Sequence, residues 1–542
     1  MNRRHALSIL PAVGAGCCLS HTHGQNFSEN RIQTIYSNDT THILSCQRLE
    51  QRRAQKITDE RLKKSITEAA GVDAHFLQPG LGWLPWWKSK IYSAEEHYQW
   101  LRENYQVKGT DKFGEYLLEG GDMLSTLVTT CKELKIAPFL SFRLNDAHHT
   151  RDLAKALQQG KPTPQMTRHF WENYHDFRIG PDVNNWDESA FDWAIPEVRD
   201  YKFSLIEEAC ENYDIAGLEL DFLRHWIRFG DSTDLSQRRQ ITTEFVAKIR
   251  KMLDRTAEAR GLPRRWLCVR VPANHKVRPD QGIDLAEMVH AGVDMVNLSY
   301  SYFTWQDNAV TEARKEIGEK PSLYVEMTHC TMTGKATNGS GTQPYLRTTD
   351  EQFFTTARLA YQQGATGVSL FNFPYYRYHV TEAIGPFHEP PFSILPKLKD
   401  REFLSRQSAS YFLSSGRRDR ILGERVLPVI VDRKHPQQFS IGLLNTPPPG
   451  GKNGILRIRS DEPIYDRDLQ VKSADQLLKP TDFIEMPLPH RYTGTWLGTK
   501  EDTLCYTVPE ELLTDGGTFP LEVSLPKGIR VRITYIELVV PT

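Results

Sequence analysis

From about residue 60 the chain alternates short apolar runs with stretches whose apolar residues recur every three or four positions, which predicts parallel strands joined by crossover helices. Eight runs read as strands: AHFLQPG (74–80), APFLSFRLND (137–146), YHDFRIG (174–180), GLELDFLRH (217–225), WLCVRVPAN (266–274), DMVNLSYSYF (294–303), SLYVEMTH (322–329) and GVSLFNFPYY (367–376). Between them, PEVRDYKFSLIEEACENY (196–213) starts at Pro196 and sets Phe203, Ile206 and Ala209 on one face. RRQITTEFVAKIRKMLDRTAEARG (238–261) stops at Gly261 with Pro263 beyond. This pattern over residues 60–400 predicts an α/β fold, a (β/α)8 barrel. A doubly wound nucleotide fold loses its support, because no G-x-G-x-x-G follows the first strand and no G-x-x-x-x-G-K-[ST] occurs.

After residue 400 the period changes. RVLPVIVD, FSIGLLN, GILRIRS, TLCYTVP, FPLEVSLP and RVRITYIELVV alternate apolar and polar residues between turns such as NTPPPGG (445–451), which predicts a smaller all-β sandwich over 419–542. A linker helix is expected over 401–418. With Tyr492 and Trp496 as its main aromatic candidates, the sandwich is expected to brace the barrel.

The N-terminus reads as targeting rather than fold. MNRRHALSILPAVGAGCCLS pairs Arg3 and Arg4 with a weakly apolar run, so residues 1–25 are expected to be a twin-arginine-like export signal, followed by an N-terminal extension over 26–59. That predicts a periplasmic or extracellular protein. Cys17 lacks the Leu that would open a lipobox, which disfavours a lipid anchor. No later apolar run is long enough to span a membrane. The chain has 542 residues, 39% of them hydrophobic, and a net charge of −1, so there is no basic field for nucleic acid. Cys46, Cys131, Cys210, Cys268, Cys330 and Cys505 are scattered, which suits buried thiols better than a zinc site or disulfide framework. Oligomeric state is left open.

The fourth predicted strand carries chemistry in an unusual place. Leu218, Leu220 and Phe222 alternate with Glu219 and Asp221, so two carboxylates share one face. In a closed parallel barrel one face fills the lumen and the other lies under helices, so neither carboxylate meets free water. They must be paired, hydrogen-bonded or protonated. Asp221 falls at the C-terminal end of its strand, where barrel enzymes keep their active sites. Glu219 lies one layer deeper and is expected to be structural, held by Arg143 or Arg270. Glu326 ends the seventh strand. Two carboxylates across a barrel mouth are the minimum apparatus for glycoside cleavage, so Asp221 and Glu326 are the candidate catalytic pair.

Other polar groups fall at the same ends: Asn145, Asp146 and His148; Arg224 and His225; Asn274; Asn297 and Tyr300; His329; Asn372. Trp83, Trp305 and Tyr375 are candidates for stacking on sugar rings. Arg143, Arg224, Arg228, Arg270 and Arg377 fit a uronate or sulfated sugar, and fit pairing with the carboxylates of the site equally well. No organic cofactor is indicated, and without an H-x-H on the first strand no metal site is expected.

The run EVRDYKFSLIEEACENYDIAGLELDFLRH (197–225), with SFRLNDAHH (141–149), VRVPAN (269–274) and GVSLFNFPYY (367–376), resembles a set of bacterial glycoside-hydrolase-like TIM-barrel proteins. The resemblance covers roughly residues 60–400. It implies an exported barrel acting on carbohydrate, with Asp221, Arg224 and His225 on the matching motif. Retaining glycosidase barrels more broadly place an acid/base on the fourth strand and a nucleophile on the seventh, which would fall on Asp221 and Glu326. LELDF lacks the Asn-Glu pair usual there, so the two roles stay unassigned. A non-catalytic carbohydrate-binding barrel is the alternative.

Overall fold

The computed structural model describes residues 32–46, 56–81, 83–306, 309–332, 345–377, 389–413, 426–450, 452–485, 488, 498–513, 516–528 and 530–542. Residues 1–31 lie outside the described residues, so the expected export signal and Cys17 do too, as do Tyr492 and Trp496.

Eight parallel strands close into a barrel in chain order: β1 (Thr34–Asn38), β2 (Ala74–Leu77), β3 (Ala137–Arg143), β4 (Gly217–Asp221), β5 (Trp266–Pro272), β6 (Met295–Ser299), β7 (Ser322–Thr328) and β8 (Gly367–Phe371). Ring closure is the pairing of β1 with β8, which sets Thr34 opposite Val368. β3 and β7 are buried along their whole length, as strands covered on both faces must be. Register sets Asp221 opposite Arg143 on one side and Arg270 on the other, and Arg270 opposite Asn297. The charged residues of the sequence pattern therefore share one layer near the mouth.

The expected strand at 174–180 is not a strand. Residues Arg168–Phe177 form a helix, capped by Thr167, whose side chain accepts from the Phe170 N–H. Phe170, Trp171, Tyr174 and Phe177 recur at helical spacing, and that period outweighs the alternation of YHDFRIG. The missing eighth strand is β1, inside the segment expected to be an N-terminal extension. Among the described residues of the expected linker helix, only Arg401–Ser405 is helical, and Ala409–Leu413 is a strand.

That strand, β9 (Ala409–Leu413), opens the C-terminal part, which continues with β10 (Val429–Asp432), β11 (Gln437–Leu443), β12 (Gly454–Ser460), β13 (Gln470–Ser473), β14 (Gln476–Leu477), β15 (Lys479–Thr481), β16 (Thr503–Val508), β17 (Gly517–Ser524) and β18 (Arg530–Val540). They form two antiparallel sheets, β9-β18-β12-β16-β15 with β10 also on β18, and β11-β17-β13-β14. Leu456, Ile458 and Val531 of the first share one apolar core with Ile441, Val471 and Leu521 of the second. The helix Asp350–Gln362 joins these sheets to the barrel. Gln352 donates to the Tyr535 hydroxyl at 3.2 Å, and Arg358 donates to the carbonyls of Gln407 and Thr446 at 3.1 and 3.0 Å. No described helix is long and apolar enough to cross a membrane.

Candidate active site

Arg270, near the end of β5, is the hub of the mouth. Its Nε and Nη2 donate to Glu326 Oε2 and Oε1, both at 2.6 Å, and its Nη1 donates to Asp221 Oδ1 and Oδ2 at 3.0 and 3.2 Å. Nη2 also reaches Ser299 Oγ at 3.1 Å, and the guanidinium lies 4.2 Å from the centre of the Phe371 ring. Burial opposes the charge on Arg270, but Asp221 and Glu326 outweigh it and raise its pKa. Forked pairing of this kind fixes both carboxylates in direction as well as charge.

Glu219 lies below, fully buried, and neither arginine grips it. Ser141 Oγ donates to its Oε1 at 2.6 Å, while Cys268 Sγ and Asn297 Nδ2 reach Oε2 at 3.6 and 3.4 Å. Burial first, and then the Asp221 charge, push its carboxyl up to about 7. The expected bridge from Arg143 or Arg270 is absent because Asp221 and Glu326 occupy Arg270, and Arg143 turns to other partners. Asn297 ties the layers together, its Nδ2 lying 3.4 Å from Glu326 Oε2 as well.

Arg143, at the end of β3, pairs with Asp146 at 2.9 Å and with Asp39 at 3.1 Å. Burial pushes the Asp39 carboxyl up, but Arg143 and then Arg224 outweigh it and hold it at about 2. Asp146 Oδ1 also lies 2.5 Å from His148 Nδ1, and His148 Nε2 lies 2.7 Å from Arg224 Nη2. An arginine can only donate, so Nε2 accepts and Nδ1 carries the proton toward Asp146. Asp221 Oδ1 accepts from the backbone N–H groups of Leu223 and Arg224 at 2.9 and 3.2 Å, a turn that swings Arg224 and His225 into the mouth. His225 has a φ of 50°, a strained value for this residue type.

Asp146, His148 and His225 bring three potential metal-binding atoms within 4.8 Å of one another. Hydrogen bonding already uses both nitrogens of His148, Asp146 is committed to Arg143, and the Arg224 cation adjoins the cluster. The donor set therefore fits a hydrogen-bonded relay better than a cation site.

Between these clusters opens a cavity of 190 Å³, lined by Trp186, Arg224, His225, Trp226, Arg270, Tyr302 and Phe371 among others. Trp186 is 38% exposed and lies 4.6 Å from the His225 ring, centre to centre.

No protein-family model matches the sequence, and no curated protein matches it. Among solved structures, α-L-fucosidase isoenzyme 1 from Paenibacillus thiaminolyticus is similar at 11% identity and TM-score 0.35, covering 91% of this chain and 96% of that one. A glycoside hydrolase family 18 N-acetylglucosaminidase from Paenibacillus barengoltzii covers 68% and 99% at 12% identity and TM-score 0.34. The PgaB (BpsB) glycoside hydrolase domain from Bordetella bronchiseptica covers 64% and 96% at 11% identity and TM-score 0.36. These neighbours are glycoside hydrolases. Likeness of this size carries no argument about activity, and the barrel rests on its own strand order.

The remaining candidates divide by position. Tyr375 reaches the mouth, its hydroxyl donating to Asp39 Oδ2 at 3.3 Å. His329 packs beside Tyr375 with ring centres 5.6 Å apart, and burial holds its pKa well below the usual imidazole range. Tyr300 is buried and stacks on Trp305 with ring centres 5.5 Å apart. Asn372, with a φ of 52°, turns the chain after β8. Three candidates serve other ends. Trp83, expected to stack on sugar, is buried edge-on against Phe191, with the Lys202 ammonium 3.8 Å from its ring centre. Asn145 ties loops together, donating to the carbonyls of Phe191 and Ile227 at 2.8 Å each. Asn274 caps the turn His275–Val277. Asp39, Ser299 and Trp186 were not singled out by the sequence pattern. Asp39 follows the strand that the pattern missed, and Trp186 opens the short helix Trp186–Ser189 in the long connection after β3, with no periodic signal.

Proposed function

We propose that this chain is an exported glycoside hydrolase that cleaves a poly- or oligosaccharide at the barrel mouth, with Asp221 and Glu326 as its paired carboxylates and no metal or organic cofactor. The observation that carries the reading is the convergence of these two side chains, from strands three apart, on the Arg270 guanidinium beside a cavity walled by Trp186, Trp226, Tyr302 and Phe371. Aromatic faces next to fixed polar groups suit a sugar ring.

Glycoside cleavage needs one carboxyl that carries a proton and one that is charged. Two carboxyl groups here share one guanidinium, and a third beneath them, Glu219, is the one pushed up to about 7. Glu326 is the more tightly gripped of the other two, by Arg270 at 2.6 Å on both oxygens and by Ser299 at 2.5 Å. Asp221, at 3.0–3.2 Å from Arg270, is the more readily released. In this reading a sugar oxygen draws Arg270 away from Asp221; one carboxyl of the pair gives its proton to the leaving glycosidic oxygen as the C–O bond breaks, and the other either bonds to the anomeric carbon itself or takes a proton from the water that does.

A second reading has its own support. Asp221 and Glu326 are only 3% and 1% exposed and are both locked to Arg270, as they would be in a barrel that binds carbohydrate without cutting it. Reducing-end release from neutral, uronic and sulfated polysaccharides separates the two. Hydrolysis that falls at least ~100-fold in both Asp221→Asn and Glu326→Gln, with circular dichroism unchanged, supports the hydrolase. Retention of a polysaccharide on an affinity gel without any release, equal in wild type and both variants, supports the binding barrel.

A further inference from the structure

Three arginines meet at the mouth, and two of them are settled. Arg143 pairs with Asp39 and Asp146, and Arg270 pairs with Asp221 and Glu326. Arg224 pairs with no carboxylate among the described residues. Its Nη2 donates to the neutral edge of His148 at 2.7 Å, its guanidinium lies 5.3 Å from the centre of the Tyr302 ring, and its Nε is buried with no hydrogen-bond partner. An unmatched guanidinium nitrogen in a buried position is costly, and such positions are kept where a ligand completes them.

Nearby acids do not fill the vacancy. Asp39 and Asp146 are close enough to act on Arg224 through space, yet their oxygens are committed to Arg143, Thr41, Tyr375 and His148. The backbone that carries Arg224 is fixed by the Asp221 turn, so the side chain is held at the cavity wall. Burial, and then the Arg143 charge, lower the pKa of Arg224, the direction expected of a cation that lacks a counter-charge.

We propose that Arg224 is the subsite for an anion borne on the sugar ring, a uronate carboxylate or a sulfate ester, with Tyr302 beneath it and His148 fixing one side of its fork. A planar guanidinium matches either group with two parallel N–H···O bonds. The inference rests on the reading of this mouth as a sugar site and names the class of sugar it takes.

The test uses the full chain and four probes: polygalacturonate, its carboxyl-reduced form, a sulfated galactan and its desulfated form. Binding is read by affinity electrophoresis and cleavage by reducing ends, for wild type, Arg224→Gln and Arg224→Lys. The expected result is that wild type binds one anionic polymer ~10- to 100-fold more tightly than its neutralised counterpart, the range for charge-assisted hydrogen bonds. Which pair shows the difference tells carboxylate from sulfate. Arg224→Gln should remove that preference, and Arg224→Lys should retain part of it. Equal affinity of wild type for each polymer and its neutralised form overturns the proposal, as does a preference that survives Arg224→Gln. The wild-type comparison stands alone if the Gln variant does not fold. Anionic preference without any bond cleavage keeps this subsite and removes the hydrolase reading, whereas cleavage confined to neutral polymers does the reverse.

Discussion

The two charged clusters of the mouth use the same side chains to opposite effect. Around Arg270 every donor of the guanidinium edge faces a carboxylate or hydroxyl, and the group sits on an aromatic ring in the strand layer itself. In the cluster of Arg143, Asp146, His148 and Arg224, the chain of partners runs outward from β3 into loops and stops at an arginine without an acid. The first arrangement holds strands β4, β5 and β7 together. The second spends part of its hydrogen-bonding capacity on something yet to arrive, which is the usual mark of a site rather than a brace.

Removing the hub should have the largest effect. Arg270→Met leaves two buried carboxylates unpaired and should cost about 3–5 kcal/mol in urea unfolding. A cost below about 1 kcal/mol would mean that the ion pairs do not secure the barrel. Next comes pH, and the two clusters respond in opposite directions. Glu219 holds a proton up to about 7 in the folded chain against an ordinary value of 4.5, so between those values the folded state binds a proton that the unfolded state has lost. Stability should therefore fall by roughly 3 kcal/mol as pH rises across that window, and Glu219→Gln should flatten the decline. Asp39, held at about 2 against 3.8, contributes stability that is complete above pH 4 and lost as pH falls toward 2. That loss should be about 2 kcal/mol and should vanish in Asp39→Asn, measured by the same denaturant titrations at stepped pH. The smallest effect should come from chelation. If Asp146, His148 and His225 form a hydrogen-bonded relay, EDTA should move Tm by less than ~1 °C, whereas a bound structural ion would shift it by several degrees.

The barrel was legible because seven of its strands are apolar runs long enough to stand out. β1 was not, for a physical reason: in TIYSN the polar residues Thr34, Ser37 and Asn38 are themselves buried, so the strand has no apolar alternation to betray it. The alternation in YHDFRIG (174–180), which overlaps the end of the aromatic helix Arg168–Phe177, stands in for β1, so the strand numbering agrees from the fourth strand onward. Asp221, Arg270 and Glu326 could be found because a charge within an apolar barrel strand needs a reason. Their connection to one another could not, since pairing partners depend on which side chain reaches first, and Glu219 proved to be held by Ser141 rather than by an arginine. Trp83 looked like a sugar platform by type and loop position, but Phe191 and Lys202 enclose it.

The position of β1 matters to anyone who shortens this protein. A chain begun at residue 60, where the regular pattern starts, would leave β2 and β8 as bare edges, each with a row of unmatched main-chain groups that Thr34–Asn38 now covers on both sides. Such edges recruit strands from other molecules, so the shortened chain should exchange segments or precipitate rather than remain a closed ring. It would also lack Asp39, one of the two acids that pair with Arg143. The ring is thus sealed by residues made before any of its other strands, and the seal can form only once residue 371 has joined the chain.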